Sequence, residues 1–249
     1  MSRIRRVLAG AFLLAGAASM VFSAAPAGAS TQGAVVELHL DGVVDPFVAN
    51  YLSSAISDAN TSHAAAVLIL IDTPGGLDSS MRQINQAILG SHVPVIGYVY
   101  PSGARAASAG TFIMMACPYA AMAPGTNIGA AHPVGVSGVI EEEKVTNDAV
   151  AYIQSLAERY GRNADWAESA VRDSVSVSAQ EALKLPIIDT LASSVPQLLE
   201  KADGQTVKVA NGGTATISTA GGPVESESMS VGASILHSLF SPDLAFIFF

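Results

Sequence analysis

Ser108 is the residue on which chemistry could turn. It stands in "SGARAASAGTFIMMA" (102–116), flanked by Ala106, Ala107, Ala109 and Gly110, just after a strand-like run and at the start of a helical pattern. A hydroxyl in that position can face a cleft while the helix N-terminus favours a nearby oxyanion, and small neighbours leave room for a substrate backbone. The same residue types also suit a helix N-cap or close packing, so the serine alone leaves both readings open. A second feature is "DTPGG" (72–76), placed where a buried strand ends. Gly75 and Gly76 supply main-chain N–H groups that no side chain blocks, as an oxyanion hole requires. Donors aimed at developing negative charge are worth a few kcal/mol. Pro-Gly-Gly is equally ordinary chemistry for a tight βα bend.

These residues need a scaffold, and the pattern from Gly33 to about Ala192 supplies one by alternating short β-type runs with helical stretches. That alternation predicts an α/β domain with a mainly parallel sheet. "AVVELHL" (34–40) reads as the first strand and residues 46–60 as a helix. "AAVLILID" (65–72) is almost continuously apolar, as a strand covered on both faces must be; it runs into TPGG and a helix near 77–89. "VPVIGYVY" (93–100) is another buried strand, and "YAAMA" (119–123) a short one. A helix over 144–160 is closed by Gly161. Asn163 caps the next helix, and Ser178 with Glu181 forms a capping box. "LPIIDTL" predicts a late strand and "VPQLLEKADG" a helix, followed by a hairpin with an Asn-Gly turn in "GQTVKVANGGTATIST". "AGGPVESESMSVGAS" reads as flexible linker by composition. Phe112 to Met115 and Cys117 are expected in the core, Trp166 as an anchor between helices, and Asp72 as a residue that orients the Gly-Gly turn.

Half of the 249 residues are hydrophobic, enough to bury a large core. Residues 1–29 carry Arg3, Arg5 and Arg6, an apolar run and Ala27-Gly28-Ala29, the pattern of a cleaved secretory signal; an uncleaved anchor is the rival reading. Without those arginines the chain carries 9 basic against 21 acidic residues, a net charge of −12, which argues against a nucleic-acid partner. The one cysteine, Cys117, has no intrachain partner and excludes a disulfide scaffold. No Walker loop, Cys/His cluster or HExxH motif occurs, so no metal or other cofactor is implied. The apolar stretch Leu244–Phe249 reads as the start of a transmembrane helix, with a tail docked on the core as the alternative. The expected organisation is therefore a signal peptide (1–29), a catalytic domain (30–204), a hairpin and flexible linker (205–230), and a juxtamembrane helix entering a membrane span (231–249).

"IDTPGGLDSSMRQINQAI", "PSGARAASAGTFI", "AMAPGTNIGAAHPV" and "LPIIDTLASSVPQLLEKADG" together resemble the NfeD-type membrane-bound serine proteases, relatives of Clp protease and crotonase, over roughly 33–204. The resemblance implies a ββα superhelix, with Ser108 as nucleophile and the N–H groups of Gly76 and Ala109 as oxyanion donors. It implies Lys144 as base, thirty-six residues after the serine. Clp proteases instead use a histidine about two dozen residues on, which makes His132 the alternative, with Asp148 or Asp173 as its acid. A lysine of ordinary pKa is almost wholly charged at pH 7, and holding it neutral costs about 4.6 kcal/mol. Burial could supply that shift, whereas Glu141, Glu142 and Glu143 oppose it; the expectation is that these turn to solvent while Lys144 turns inward. Lys144 is also the only lysine before residue 184. The implied substrate is an apolar polypeptide segment, such as that of a stomatin-like membrane protein, cleaved outside the cytoplasm by a membrane-anchored homo-oligomer (dimer or larger). A non-catalytic scaffold for membrane proteins is the alternative. A crotonase-like acyl thioester enzyme is disfavoured, because few basic residues are present to meet coenzyme phosphates.

Overall fold

The computed structural model describes residues 33–134 and 143–239. The expected signal segment, Glu141, Glu142 and the apolar end from residue 240 lie outside the described residues. The first unit is β1 (Val35–Val44), α1 (Pro46–Ser62) and β2 (Ala66–Gly76). Asp45 starts α1 as its N-cap, its Oδ1 accepting from the N–H groups of Phe47 and Val48 at 2.9 Å each. A cap of this kind stabilises a helix by about 0.5–2 kcal/mol. Then follow α2 (Asp78–Leu89), β3 (Val95–Val99), β4 (Arg105–Ala107) and α3 (Ala109–Ala116). The chain continues through β5 (Tyr119–Met122), β6 (Asn127–Gly129), α4 (Glu143–Arg159), α5 (Ala164–Arg172), β7 (Ser176–Ser178) and α6 (Ala179–Lys184). Last come β8 (Thr190–Leu191), α7 (Val195–Ala202), the pair β9 (Thr206–Lys208) and β10 (Thr214–Thr216), β11 (Val224–Ser226) and α8 (Val231–Leu239). Asn163 and Ser178 cap α5 and α6 as expected.

β2 organises the sheet. Along one edge it pairs with β1 from Val35↔Ala66 to Val44↔Gly76, with an irregularity between Asp41 and Val43. Along the other edge its first half pairs with β3 over Val67–Ile71, while Thr73 pairs with Ala106 of β4. The single strand therefore feeds two ladders, β3-β5-β8 and β4-β6-β7, and the sheet curls around the point where they part. All its described pairings are parallel except β6–β7. The stretch expected to end at Asp72 and turn at TPGG instead stays extended to Gly76, because Val44 offers its carbonyl to the Leu77 N–H at 2.9 Å.

Alternation along β2 explains its unbroken apolar run. Val67, Ile69 and Ile71 face a core built with α1, α2, α3, α4 and α5, whereas Ala66, Leu68 and Leu70 face a second core with Tyr98, Leu198 and Leu199. Each fully buried Leu or Ile contributes about 1.5–3 kcal/mol. Val207, Val209 and Ile217 of the hairpin also enter the second core, so the packed unit continues past Gly204. The hairpin turn has Asn211 and Gly212 both at positive φ, 56° and 71°. The segment read as linker is partly ordered against the domain: Asp203 accepts from the N–H groups of Thr219 and Ala220, and β11 extends the sheet beside β1. Backbone pairing does not depend on the polar composition that suggested free chain. Where "LPIIDTL" predicted a strand, only Thr190–Leu191 pairs, while Ile187 and Ile188 are buried. Among the described residues no helix is long and apolar enough to cross a membrane.

Candidate active site

Ser108 is the single residue between β4 and α3, and it turns the chain sharply from strand to helix with φ 52° and ψ −116°. A non-glycine residue held there stores about 1–3 kcal/mol of strain, which surrounding contacts must hold in place. Those contacts are visible. The Ser108 N–H donates to the Gly129 carbonyl at 3.0 Å, and the Ser108 carbonyl accepts from the Thr111 N–H at 2.9 Å. The buried Thr111 hydroxyl reaches both the Ala106 and Gly129 carbonyls, each at 2.9 Å. A strained serine at a strand-to-helix turn is one of the arrangements by which hydrolases expose a nucleophilic hydroxyl.

The glycines explain how β2 comes so close to it. A Cβ on Gly75 would lie 2.5 Å from the Ser108 Cβ and 2.9 Å from its Oγ, and Gly75 has φ +115°. Its N–H donates to Thr73 Oγ1 at 3.0 Å. A Cβ on Gly76 would lie 2.2 Å from the Val44 carbonyl oxygen. Since Leu77 turns its N–H toward β1, the preceding N–H of Gly76 points to the opposite edge, the side on which Ser108 stands. The Ala109 N–H, first in α3, has no acceptor within its own helix. Asp72 accepts from the Arg105 N–H at 3.0 Å, which ties β2 to the start of β4 and not to the Gly-Gly stretch.

Ser108, Gly76 and Ala109 share one cavity of about 380 Å³, whose remaining wall includes Met81, Phe112, Val134, Val145 and Ala149. Lys144 is exposed on the first turn of α4 and lies outside this lining, although its helix neighbours Val145, Asp148 and Ala149 belong to it. His132 is turned away. Its Nδ1 donates to the Val171 carbonyl at 2.7 Å and its buried Nε2 has no partner among the described residues, while Ala131 and Pro133 on either side line the cavity. Among the described residues no group of three or more His, Cys, Asp or Glu side chains could hold a metal.

One part of the wall had no sequence signal that could have found it. Arg82 donates to Asp78 at 2.9 Å and to Asp148 at 2.5 Å, and its guanidinium lies 4.4 Å from the centre of the Tyr152 ring. Burial pulls the Arg82 pKa down, but the hydrogen bond and charge of Asp78, with the charge of Asp148, outweigh it and raise the net value.

Residues 34–214 match the family model for the NfeD1b N-terminal domain. The chain belongs to the NfeD1b family. Membrane-bound protease PH1510 of Pyrococcus horikoshii is 40% identical over 195 residues, which are 76% of this chain and 44% of that protein. The chain thus spans less than half the length of that curated relative. A solved structure of the 1510-N membrane-bound stomatin-specific protease, a lysine-to-alanine mutant in complex with a substrate peptide, has a TM-score of 0.79 at 35% identity, covering 84% of this chain and 98% of that one. A serine-to-alanine mutant of 1510-N has a TM-score of 0.75 at 36% identity, covering 80% and 99%. The NfeD1b domain described here therefore has the expected Clp protease-like α/β fold, with its largely parallel, curled sheet.

Proposed function

We propose that this chain is a membrane-associated serine endopeptidase in which Ser108 is the nucleophile, Lys144 its base, and the N–H groups of Gly76 and Ala109 the oxyanion donors. The observation that carries the reading is Ser108 itself, held in a strained turn against Gly75 and opening on a cavity that Gly76 and Ala109 also line. In the proposed step the Lys144 amine takes the hydroxyl proton as Ser108 Oγ bonds to the scissile carbonyl carbon. The carbonyl oxygen becomes an oxyanion between the two N–H donors at the positive end of α3. The lysine then returns the proton to the leaving amine, and water hydrolyses the acyl-enzyme by the same route.

The base must be a neutral amine, a form that a substrate lying across the cavity would favour by excluding water from it. The apolar wall of Met81, Phe112, Val134 and Val145 suits an apolar peptide segment. Together with the relatives described as stomatin-specific, it supports a stomatin-like membrane protein as substrate. Export and membrane association complete the reading.

The test pairs cleavage of an apolar peptide with labelling of Ser108 by a fluorophosphonate. Ser108→Ala abolishes both, Lys144→Ala lowers both by two to four orders of magnitude, on the order of general-base contributions, and His132→Ala leaves both near wild type. Labelling kept in the lysine variant but lost in the histidine variant would transfer the base role to His132. Cleavage kept in Ser108→Ala would remove the hydrolase reading in favour of a scaffold.

A further inference from the structure

The helix α8 is held to the domain by a contact that the site as described does not use. It buries none of its nine residues, and Val231, Ile235 and Leu239 are 78%, 60% and 55% exposed, so apolar burial is a weak reason for its seat. His237 supplies a stronger one. Its Nδ1 lies 2.7 Å from Oδ2 of Asp45, and its Nε2 lies 3.0 Å from the Asp41 carbonyl oxygen, 192 and 196 residues back along the chain. The ring rests over Gly42, where a Cβ would come within 3.5 Å of Nε2. The approach to this seat is stitched as well: the Glu227 N–H donates to the Glu37 carbonyl at 2.9 Å, and the Tyr51 hydroxyl donates to the Glu227 carbonyl at 2.5 Å.

Residues 41–45 are the part of β1 on which the site depends. The ladder with β2 shifts between Asp41 and Val43 and resumes as Val43↔Gly75 and Val44↔Gly76. Val44 then holds β2 through its carbonyl, which accepts from the Leu77 N–H, and Asp45 begins α1. An irregular stretch of ladder is locally disrupted and needs other contacts to fix its course. The His237 ring grips this one at both ends, Asp41 before the shift and Asp45 after it. The Asp45 side chain is fully buried, with its Oδ1 engaged in the α1 cap and its Oδ2 against His237. A buried carboxylate oxygen deprived of its partner is costly, and a shift of the chain toward water would relieve it.

We propose that His237 is a positioning residue for hydrolysis at Ser108: by clamping Asp41 and Asp45 it sets the β1 stretch that places the Gly76 N–H, so that α8 and the oxyanion donor move together. The inference rests on the reading of Gly76 as that donor. A donor of this kind acts on charge that develops in the transition state, so its displacement lowers kcat and leaves KM.

The experiment compares full-chain variants by kcat and KM on a fluorophore-quencher apolar peptide, by the rate of fluorophosphonate labelling at Ser108, and by urea unfolding. His237→Ala should lower kcat and labelling about tenfold, the effect of a displacement of a fraction of an ångström, with KM within about twofold of wild type. Asn places its amide nitrogen near Nδ1 and Gln near Nε2. His237→Asn therefore keeps the Asp45 contact and His237→Gln the Asp41 contact, and each should recover part of the loss, to about threefold below wild type. Ile235→Ala, on the exposed side of the same helix, leaves kcat and labelling at wild type. A His237→Ala chain with a lowered urea midpoint but wild-type kcat and labelling would overturn the proposal and leave His237 a brace for α8. So would a raised KM at unchanged kcat, equal losses in the Ala, Asn and Gln variants, or the same loss in Ile235→Ala. Should His237→Ala fail to fold, the Asn and Gln variants decide, and wild-type kcat in both overturns the proposal. Cleavage kept in Ser108→Ala would instead remove the reading of the site itself, an outcome separate from a His237→Ala chain as fast as wild type.

Discussion

An alanine at position 75 would set a methyl carbon 2.5 Å from the Ser108 Cβ and 2.9 Å from its Oγ, on a residue whose φ is +115°. Two costs follow. A non-glycine residue in that backbone region costs about 1–3 kcal/mol, and the overpacking costs about 1–3 kcal/mol more if the neighbours shift to relieve it. The displaced neighbour is the proposed nucleophile, and a misplacement of about 1 Å costs on the order of a hundredfold in rate. Gly103 supplies the control: its φ is +95°, but a Cβ there would meet nothing within 4 Å. Gly103→Ala therefore carries the backbone cost alone. Urea denaturation and the rate of fluorophosphonate labelling at Ser108 should separate the variants, Gly75→Ala losing more stability and about two orders of magnitude in labelling. Labelling of Gly75→Ala as fast as that of Gly103→Ala would refute the idea that close approach of β2 holds the serine in place.

Two further outcomes concern the core. Burial pushes the Cys117 thiol up to about 12, so iodoacetamide at pH 8 should leave the folded chain unmodified and alkylate it only once unfolded. Because the unfolded thiol ionises near 9 and the folded one does not, this group's contribution to stability is complete below pH 9 and is lost as pH rises toward 12; a Cys117→Ala variant should lack that alkaline component in urea titrations. Arg162→Met removes the guanidinium that now donates to the Met114 and Met115 carbonyls at 3.0 and 3.2 Å and to Asp189 at 3.0 Å, although Met114 keeps the Cys117 N–H and Asp189 the Ala120 N–H. It should cost about 2–4 kcal/mol in urea unfolding, and an unchanged midpoint would mean that solvent replaces those bonds.

Much of this architecture could be read from residue patterns because it is local. The apolar run of β2, the caps at Asn163 and Ser178, and the Asn211-Gly212 turn each depend on neighbours within a few positions. What escaped depends on distant chain. Pro74 to Gly76 suit a bend by local rule as well as an oxyanion hole, but β1 keeps this stretch in the sheet, and no local rule weighs a ladder partner about thirty residues away. The three residues of β4 carry no periodicity and exist as a strand because Thr73 and Ile128 flank them. β11 was hidden by polar composition, since its hydrogen bonds to β1 are main-chain. At the site, small residues beside strand ends drew attention to Ser108 and the Gly75-Gly76 pair, the resemblance to the protease family supplied the roles of Ser108, Gly76 and Ala109, and the Arg82–Asp148 contact, which joins residues 66 apart, left no trace in spacing.

Since β2 belongs to both ladders, the main-chain donor proposed at Gly76 and the seat of Ser108 hang from one length of backbone, with β1 on one side and β4 on the other. Substitutions that loosen either seam should disturb both functions at once. Energetic effects of paired changes across the two seams would then be strongly non-additive, and catalytic power in this site should rise or fall as a unit.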